Sequence, residues 1–318
     1  NNDATRVEAI MGHVSREAHP YRVFGWGNRQ SLTENPLWKQ GLIRDKLREH
    51  WEKHYHAGRM SLTLLGEQPL DELQAMVAKT FGDMRADGEP AVSYASAGAP
   101  YANETLPLRI DTTMIREGKQ LDLVFTVPSE LRRAYRRKST EYVEELIGHE
   151  GEGSLFASLK SRGLADTTCC ALFTVTVKLT DEGFGKVDDV ISLFFQYVEM
   201  MRRTGPQEWC WREAKDLRGI EFRFKEEEGA AEYTEMLAMT MRRFEHADVL
   251  RGEYAFDEFH RGDIEAVVDC ITPRKCVYIV SDHAFDCDAP GVEREKWFDA
   301  PFSRSAVEEK KLAEWESN

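Results

Sequence analysis

The sequence predicts an α+β fold of two related domains. Each is a mixed or antiparallel sheet with helices packed on one face, in the manner of a ferredoxin-like split β-α-β unit. Three observations predict it. Apolar stripes of helical period alternate along the chain with short runs of period two. A stretch rich in Ala, Gly, Pro and Ser, Ala86–Asn103, has the composition of a linker and places a boundary near Pro100. On either side of it, helices lead to a strand that ends in a turn, at Met60–Gly66 and at Cys276–Asp282.

The elements follow in order. Ala4, Val7, Ile10 and Met11 fall at helical spacing, so the chain reads as beginning within a helix, as an excerpt of a longer protein. It turns between Ser31 and Leu37, with Pro36 as punctuation. Leu37–Tyr55 reads as one helix through Leu42, Ile43, Leu47, Trp51 and Tyr55, and Gly58 ends it. Met60–Gly66 reads as a half-buried strand. Pro69 then opens a helix at a position that needs no N–H. Its stripe is Leu70, Leu73, Met76, Val77 and Phe81, and Gly82 stops it.

Beyond the divide, Leu106–Thr112 and Leu121–Val127 read as strands. Helices are expected over Ser139–Ile147 and Ser154–Arg162. A strand follows over Leu172–Lys178, with Phe173, Val175 and Val177 on one face. Val187–Met201 is a strongly apolar helix whose Phe194, Phe195, Tyr197 and Met200 read as core. Gly205-Pro206 breaks the chain, and Glu208–Glu228 and Ala230–Phe244 are helical. Ile264–Cys270 leads through Pro273 to the strand Cys276–Val280. After Pro290 the tail is charged and reads as mostly irregular, with a short helix over Ser305–Trp315.

Composition narrows the function classes. With 318 residues and 42% hydrophobic content, two globular domains are expected rather than disorder. A net charge of -14 argues against nucleic acid as a partner. It suits basic or amphipathic partners, or serves solubility alone. No apolar run approaches the ~20 residues of a membrane span, and Asn1–Arg6 is polar and unlike a signal peptide. The six cysteines, Cys169, Cys170, Cys210, Cys270, Cys276 and Cys287, include no CxxC pair. Free thiols in a reducing compartment, the cytoplasm, are the simplest account.

The most informative stretch is Gly148-His149-Glu150-Gly151-Glu152-Gly153, between two apolar helical patterns. Glycines there leave amides and carbonyls free to face a ligand. His149, Glu150 and Glu152 are suited to hold a charged amine. The alternative is a plain helix-to-helix turn. Glu145, one turn earlier, fits either such a site or a solvated helix face. Thr168, Cys169 and Cys170 read either as an ordinary buried strand or as an edge to which a peptide adds through backbone hydrogen bonds. His13–His19 and His50–His56 gather His and Glu without HxxEH or HExxH order. His50 and His54 lie one helical turn apart, a spacing that could bind zinc, although a hydrated helix face rich in Arg, Glu and Lys is the simpler reading.

Taken in sequence, the motifs resemble the pitrilysin or insulinase family of insulysin-type zinc metallopeptidases. The landmarks are His19-Pro20, Phe24-Gly25-Trp26-Gly27-Asn28, and Leu47–Gly66 with Tyr55 and Met60. They continue through Gly148–Leu155, Leu159–Gly163, Leu179-Thr180-Asp181-Glu182-Gly183, Gly205-Pro206-Gln207-Glu208-Trp209 and Phe222–Lys225. The resemblance covers nearly the whole chain in order.

It implies a zinc endopeptidase that degrades short to mid-sized peptides inside a chamber closed by two halves of one polypeptide. Zinc there polarises the scissile carbonyl and activates water. Residues 1–100 would be the later part of the first, catalytic domain. Residues 101–318 would be the second domain, carrying a site that anchors the substrate N-terminus. The family's metal ligands, an HxxEH motif and a downstream Glu, have no counterpart here, so this chain alone is expected to be inactive and to bind no zinc. Its implied partners are peptide substrates and the rest of the same polypeptide, with no nucleic acid and no membrane. The anchoring residues the resemblance implies are Glu145, Gly148, His149, Glu150, Gly151, Glu152, Thr168, Cys169 and Cys170. A family histidine stands here as Glu145 and a strand glycine as Cys170. The chain is also several residues shorter than the family between Thr168 and Leu172. A non-catalytic relative with a structural or assembly role is the alternative.

Overall fold

The computed structural model describes residues 2–33, 36–89, 91, 94–171 and 173–317. The chain divides into two compact units. The first comprises Asn1–Trp26, Ala95–Ala214 and Glu258–Asn318; the second comprises Gly27–Tyr94 and Lys215–Asp257.

In chain order the helices of eight or more residues are α1 (Asp3–Val14), α2 (Ile43–His54), α3 (Leu70–Phe81), α4 (Ser139–Gly148), and, after a short α5 (Leu155–Ser161), α6 (Val187–Thr204). They continue with α7 (Glu208–Arg223), α8 (Ala230–Thr240), α9 (Arg261–Cys270) and α10 (Glu309–Glu316). The strands are β1 (Leu108–Thr113), β2 (Lys119–Phe125), β3 (Ala165–Ala171), β4 (Thr174–Leu179), β5 (Cys276–Asp282), β6 (Glu293–Arg294) and β7 (Pro301–Ala306).

All seven strands belong to the first unit and form one sheet in the order β3-β4-β2-β5-β1-β7-β6. β1 and β5 run parallel and every other pair is antiparallel, so the sheet is mixed. β5 sits at its centre and is buried along all but its last residue. That is why it reads in the sequence as an unbroken apolar run rather than as an alternation.

One face of the sheet carries Leu121, Leu123, Phe125, Val175, Val177 and Tyr278, all buried. It packs on α6 and α10: Phe125 stacks on Phe194 at 5.8 Å, and Tyr278 meets Trp315 at 5.4 Å. The opposite face carries Ile110, Val277, Ile279 and Phe302, covered by Ile10 and Met11 of α1. Further along that face lie Gln120, Asp122, Thr176 and Lys178. Asp122 is buried and accepts hydrogen bonds from Thr176 Oγ1 (2.6 Å) and Gln120 Nε2 (2.8 Å).

Most expected elements of this unit are present within a few residues. The tail is the exception: it is not irregular before its helix, because Pro301–Ala306 forms β7 against β1. Ser303, Arg304 and Ser305 carry no strand pattern of their own. The ladder with Leu108–Thr112 and the burial of Phe302 fix them there. Leu172, expected to begin a strand, lies outside the described residues, and β4 begins at Thr174.

The second unit contains no strand among its described residues. Met60–Gly66 has no ladder partner, and Leu62, Leu64 and Leu65 are exposed. Alternation alone marks a segment able to pair, and a strand requires a partner. The expected helix Leu37–Tyr55 is two pieces, Pro36–Lys39 and α2, separated at Gly41, whose φ of +71° ends the first. α7 stops at Arg223 and α8 at Thr240, each short of the expected end. Residues 90, 92 and 93 of Ala86–Asn103 lie outside the described residues. No helix among those described is long and apolar enough to cross a membrane.

Candidate functional site

α4 presents Tyr142, Val143 and Ile147 to the core, which leaves Glu145 on its exposed side. The helix ends at His149, which leaves helical conformation with ψ 139°. The turn is then held by short-range bonds. The Gly151 N–H donates to Nδ1 of His149 at 3.0 Å. The Ser154 N–H donates to the Gly151 carbonyl at 3.1 Å. Ser154 Oγ accepts from the Ala157 N–H at 3.1 Å and caps α5. Gly153 has φ +82°, where a side chain is strained. A Cβ on Gly151 would stand 2.5 Å from Cε1 of His149, so a larger residue must displace that ring.

The turn exposes His149, Glu150, Gly151 and Glu152 together. With Glu145, that puts three carboxylates and no lysine or arginine between residues 145 and 153. Such a surface favours an ammonium group over an anion.

Among the described residues, β3 is the last strand of the sheet and pairs with β4 alone. A shift of register between Ala165 and Thr167 re-aims the side chains. Thr168 is buried, Cys170 is half-buried and Cys169 is exposed. The Thr168 hydroxyl has no hydrogen-bond partner among the described residues. Burial, then the nearby Glu144 and Cys169, push the Cys170 thiol far above the ordinary range, so it stays a neutral wall. On its outer side, β3 offers alternate backbone N–H and C=O groups, as any edge strand does.

The glycine turn and the edge strand meet. A Cβ on Gly148 would lie 3.6 Å from the backbone nitrogen of Cys170. The expected site residues therefore fall in one neighbourhood, from two segments some twenty positions apart.

Glu144 belongs to this neighbourhood, and nothing in the sequence marks it. Its Oε1 accepts the Phe173 N–H at 3.0 Å. Phe173 turns the β3–β4 hairpin with φ +59°, unusual for a bulky residue, and its side chain is buried. Glu144 thus fastens the hairpin that presents the edge. No local pattern links residues 144 and 173, so only a tertiary contact reveals the role.

Two other motifs turn out to shape the fold. A Cβ on Gly183 would stand 1.9 Å from the Leu164 carbonyl oxygen, so only glycine fits at that close approach. Gly205 ends α6 with φ +68°, and the following Gln207 N–H donates to the Tyr142 hydroxyl at 2.9 Å.

The metal candidates do not assemble. The rings of His50 and His54 lie 4.4 Å apart, but Nδ1 of His54 faces Arg59 Nη1 at 2.5 Å. Desolvation, then the charges of Arg59 and His50, lower the pKa of His54. Among the described residues no three His, Cys, Asp or Glu side chains are placed to share a metal ion. The zinc that the resemblance implies does not fit these residues.

Comparisons with known proteins agree with the fold. Residues 41–217 match the family model of the peptidase M16 inactive domain, and residues 222–318 that of the middle or third domain of peptidase M16. The chain is 29% identical to the insulin-degrading enzyme of Homo sapiens, over 99% of this chain and 31% of that protein. It is 28% identical to a nardilysin-like protein of Arabidopsis thaliana, with the same two coverages, 99% and 31%. Nardilysin of Rattus norvegicus is 26% identical over 100% of this chain and 28% of its own length. The chain thus spans about a third of the length of these curated relatives. The crystal structure of pitrilysin matches with a TM-score of 0.86 at 22% identity, over 99% of this chain and 34% of that one. At that identity the match speaks to the fold. Since one M16 model alone accounts for more than half of the 318 residues, the chain belongs to the M16 peptidase family.

Proposed function

We propose that this chain is the peptide-anchoring part of an M16 zinc endopeptidase that degrades short to mid-sized peptides in an enclosed chamber. Residues 1–100 are the later part of the catalytic domain and residues 101–318 the second domain, with the metal held by another part of the same polypeptide. The observation that carries the reading is the contact between the glycine turn and a free sheet edge, at Gly148 and Cys170.

A substrate's α-amine, with a reference pKa of ~7.7–8.0, is at least partly charged at neutral pH. It sits among Glu145, Glu150 and Glu152 and donates to carbonyls of the turn Gly148–Gly151. The residues that follow add to β3 along Thr168–Cys170, which fixes the direction of the peptide. Cys169 and Cys170 take part through their backbone, so side-chain identity matters little and many sequences are accepted. The rest of the polypeptide is the principal partner, and it also covers the open apolar side chains of the second unit. The six free cysteines support a cytoplasmic setting.

The test compares kcat/KM of the full-length enzyme for one long peptide with a free and an acetylated N-terminus. Acetylation removes a charged donor and lowers kcat/KM by the equivalent of about 1–3 kcal/mol. Gly151→Val, which displaces the His149 ring, does similar harm to the free peptide and little to the acetylated one. Equal values throughout would reduce the turn to a connector. Metal analysis of this 318-residue chain after dialysis checks the other half of the reading: one tightly held zinc per chain would refute it.

The description of residues 41–217 as an inactive domain favours a second reading, a non-catalytic M16 subunit with an assembly role. The polypeptide upstream of Asn1 discriminates: an HxxEH motif there supports the enzyme, and its absence the subunit.

A further inference from the structure

Of the six residues Gly148–Gly153, three are glycine. Glycine backbone has little conformational preference of its own, so this turn needs something else to hold one shape. A side chain supplies it: the Gly151 N–H donates to Nδ1 of His149 at 3.0 Å. A side chain that accepts the amide two residues on imitates a backbone turn, as Asn and Asp commonly do. Gly151 is fitted to the ring. Its φ lies outside the left-handed region, so its backbone does not call for glycine. A Cβ there, however, would stand 2.5 Å from Cε1 and 3.1 Å from Nδ1 of His149. The ring lies against the Gly151 backbone, and the two form one unit.

The bond dictates the state of the imidazole. An acceptor nitrogen carries a lone pair, so Nδ1 is unprotonated and the ring is the neutral tautomer with its proton on Nε2. Imidazolium has an N–H at both nitrogens and cannot accept. The same arrangement occurs at His19, where Nδ1 accepts the Tyr21 N–H at 3.1 Å and Nε2 donates to the Gly98 carbonyl at 3.2 Å. In this state His149 offers a substrate ammonium no acceptor, because one nitrogen is taken and the other is a donor. It shapes the turn whose carbonyls and carboxylates meet the amine, and does not itself hold it.

We propose that His149 is a positioning residue: as neutral imidazole it holds the Gly148–Gly151 turn in the form that receives the substrate's α-amine, and its protonation releases that form. This rests on the peptide-anchoring reading and adds a pH control to the same site. On protonation the ring loses the Gly151 bond and becomes a cation. The charged and titratable groups on the elements that meet there are Glu144 and Glu145 at this end of α4, Glu150 and Glu152 in the turn, Lys160 on α5, and Asp166, Cys169 and Cys170 on β3. Lys160 lies over the Phe156 ring at 5.4 Å, and the Cys170 thiol stays neutral. The new cation therefore competes with the substrate ammonium for the carboxylates of the turn. Loss of the bond and gain of the charge act in the same direction, against binding.

The full-length enzyme is compared with its His149→Asn and His149→Ala forms, on a long peptide with a free N-terminus. Asn keeps an acceptor for the amide two residues on and does not titrate. At neutral pH, His149→Ala should lower kcat/KM several-fold, and His149→Asn should restore most of it. Between about pH 7.5 and about pH 5.5, a range in which histidine gains its proton, kcat/KM of the wild type should fall several-fold relative to His149→Asn. The ratio cancels the titration of the rest of the enzyme, which both proteins share. The α-amine only gains charge over that range, so carboxylates acting without His149 would bind it better and not worse. A second readout is direct. With isotope-labelled histidine, and the Asn form to assign the signal, the Cδ2 shift of His149 should report the Nε2–H tautomer at neutral pH. Exchange of the Gly151 amide, relative to the same amide in His149→Asn, should accelerate as that signal titrates. An Nδ1–H tautomer, or a Gly151 amide indifferent to the titration, would overturn the proposal. So would a ratio of wild type to His149→Asn that does not change with pH. Equal kcat/KM for the free and the acetylated peptide at neutral pH is a different result: it sinks the anchoring reading, while the tautomer and the Gly151 amide still decide the role of His149.

Discussion

In the first unit the apolar stripe of α6 is covered: Phe194 is 1% exposed, Phe195 4% and Val198 1%. In the second, the stripe of α3, drawn by the same periodicity, is open: Leu70 is 82% exposed, Met76 49% and Phe81 44%. Trp51, Leu62, Leu65 and Phe224 are also exposed there. The difference is not in the helices. It lies in what stands opposite them. The first unit supplies its own sheet, and its helices close on Leu121, Phe125, Val177 and Tyr278. The second unit has no sheet among its described residues. Periodicity shows that a face requires cover, and not what provides it.

Core truncation should separate the units most. Phe194→Ala is expected to cost about 3–5 kcal/mol by denaturant titration of the chain. Leu70→Ala should stay within about 0.5 kcal/mol, as for an exposed position. In the full-length protein the same Leu70→Ala should cost about 2 kcal/mol or more, if the remaining polypeptide covers that stripe. A negligible cost in both settings would break the comparison by making Leu70 an ordinary surface residue.

Gly183→Ala tests how tightly the first unit is assembled. A Cβ 1.9 Å from the Leu164 oxygen forces the backbone to move, at about 1–3 kcal/mol. Gly185→Ala, two residues on, meets nothing within 4 Å and should be neutral or slightly stabilising. Equal thermal shifts for the two would show that the Leu164 segment is loose.

Glu144→Ala should cost a similar amount, about 1–3 kcal/mol, because it strands the Phe173 N–H at the turn of the hairpin. Its signature is local: faster amide exchange at Phe173 and along β3, with β5 unchanged. Uniform acceleration across the sheet would assign Glu144 a general rather than a positioning role.

The smallest effect concerns Asp122 and its pH dependence. Burial raises its pKa above the ordinary carboxylate value, with the bonds from Thr176 and Gln120 opposing it. The folded state therefore holds this proton more tightly than the unfolded chain. The residue's contribution is fully present below the unfolded pKa of ~3.9 and is lost as pH rises through the raised folded value. Asp122→Asn removes that dependence, so its Tm should gain on the wild type between acid and neutral pH. A constant difference would mean that Asp122 titrates normally.

The amino-acid sequence by itself determined the local matters. Apolar spacing located α1, α3, α4 and α6 to within a few residues, and Gly205-Pro206 marked the break. The unbroken apolar run at Cys276–Val280 marked the central strand, and the ordered motifs pointed to the family. These are properties of neighbouring residues and need no partner. Tertiary structure decided the rest. It gave Ser303–Ser305 a place in a strand, left Met60–Gly66 unpaired, tied Glu144 to Phe173, and brought Gly148 against Cys170. Each depends on segments distant along the chain meeting in space. A strand exists only through the ladder it joins, and a site only through the surfaces that converge on it.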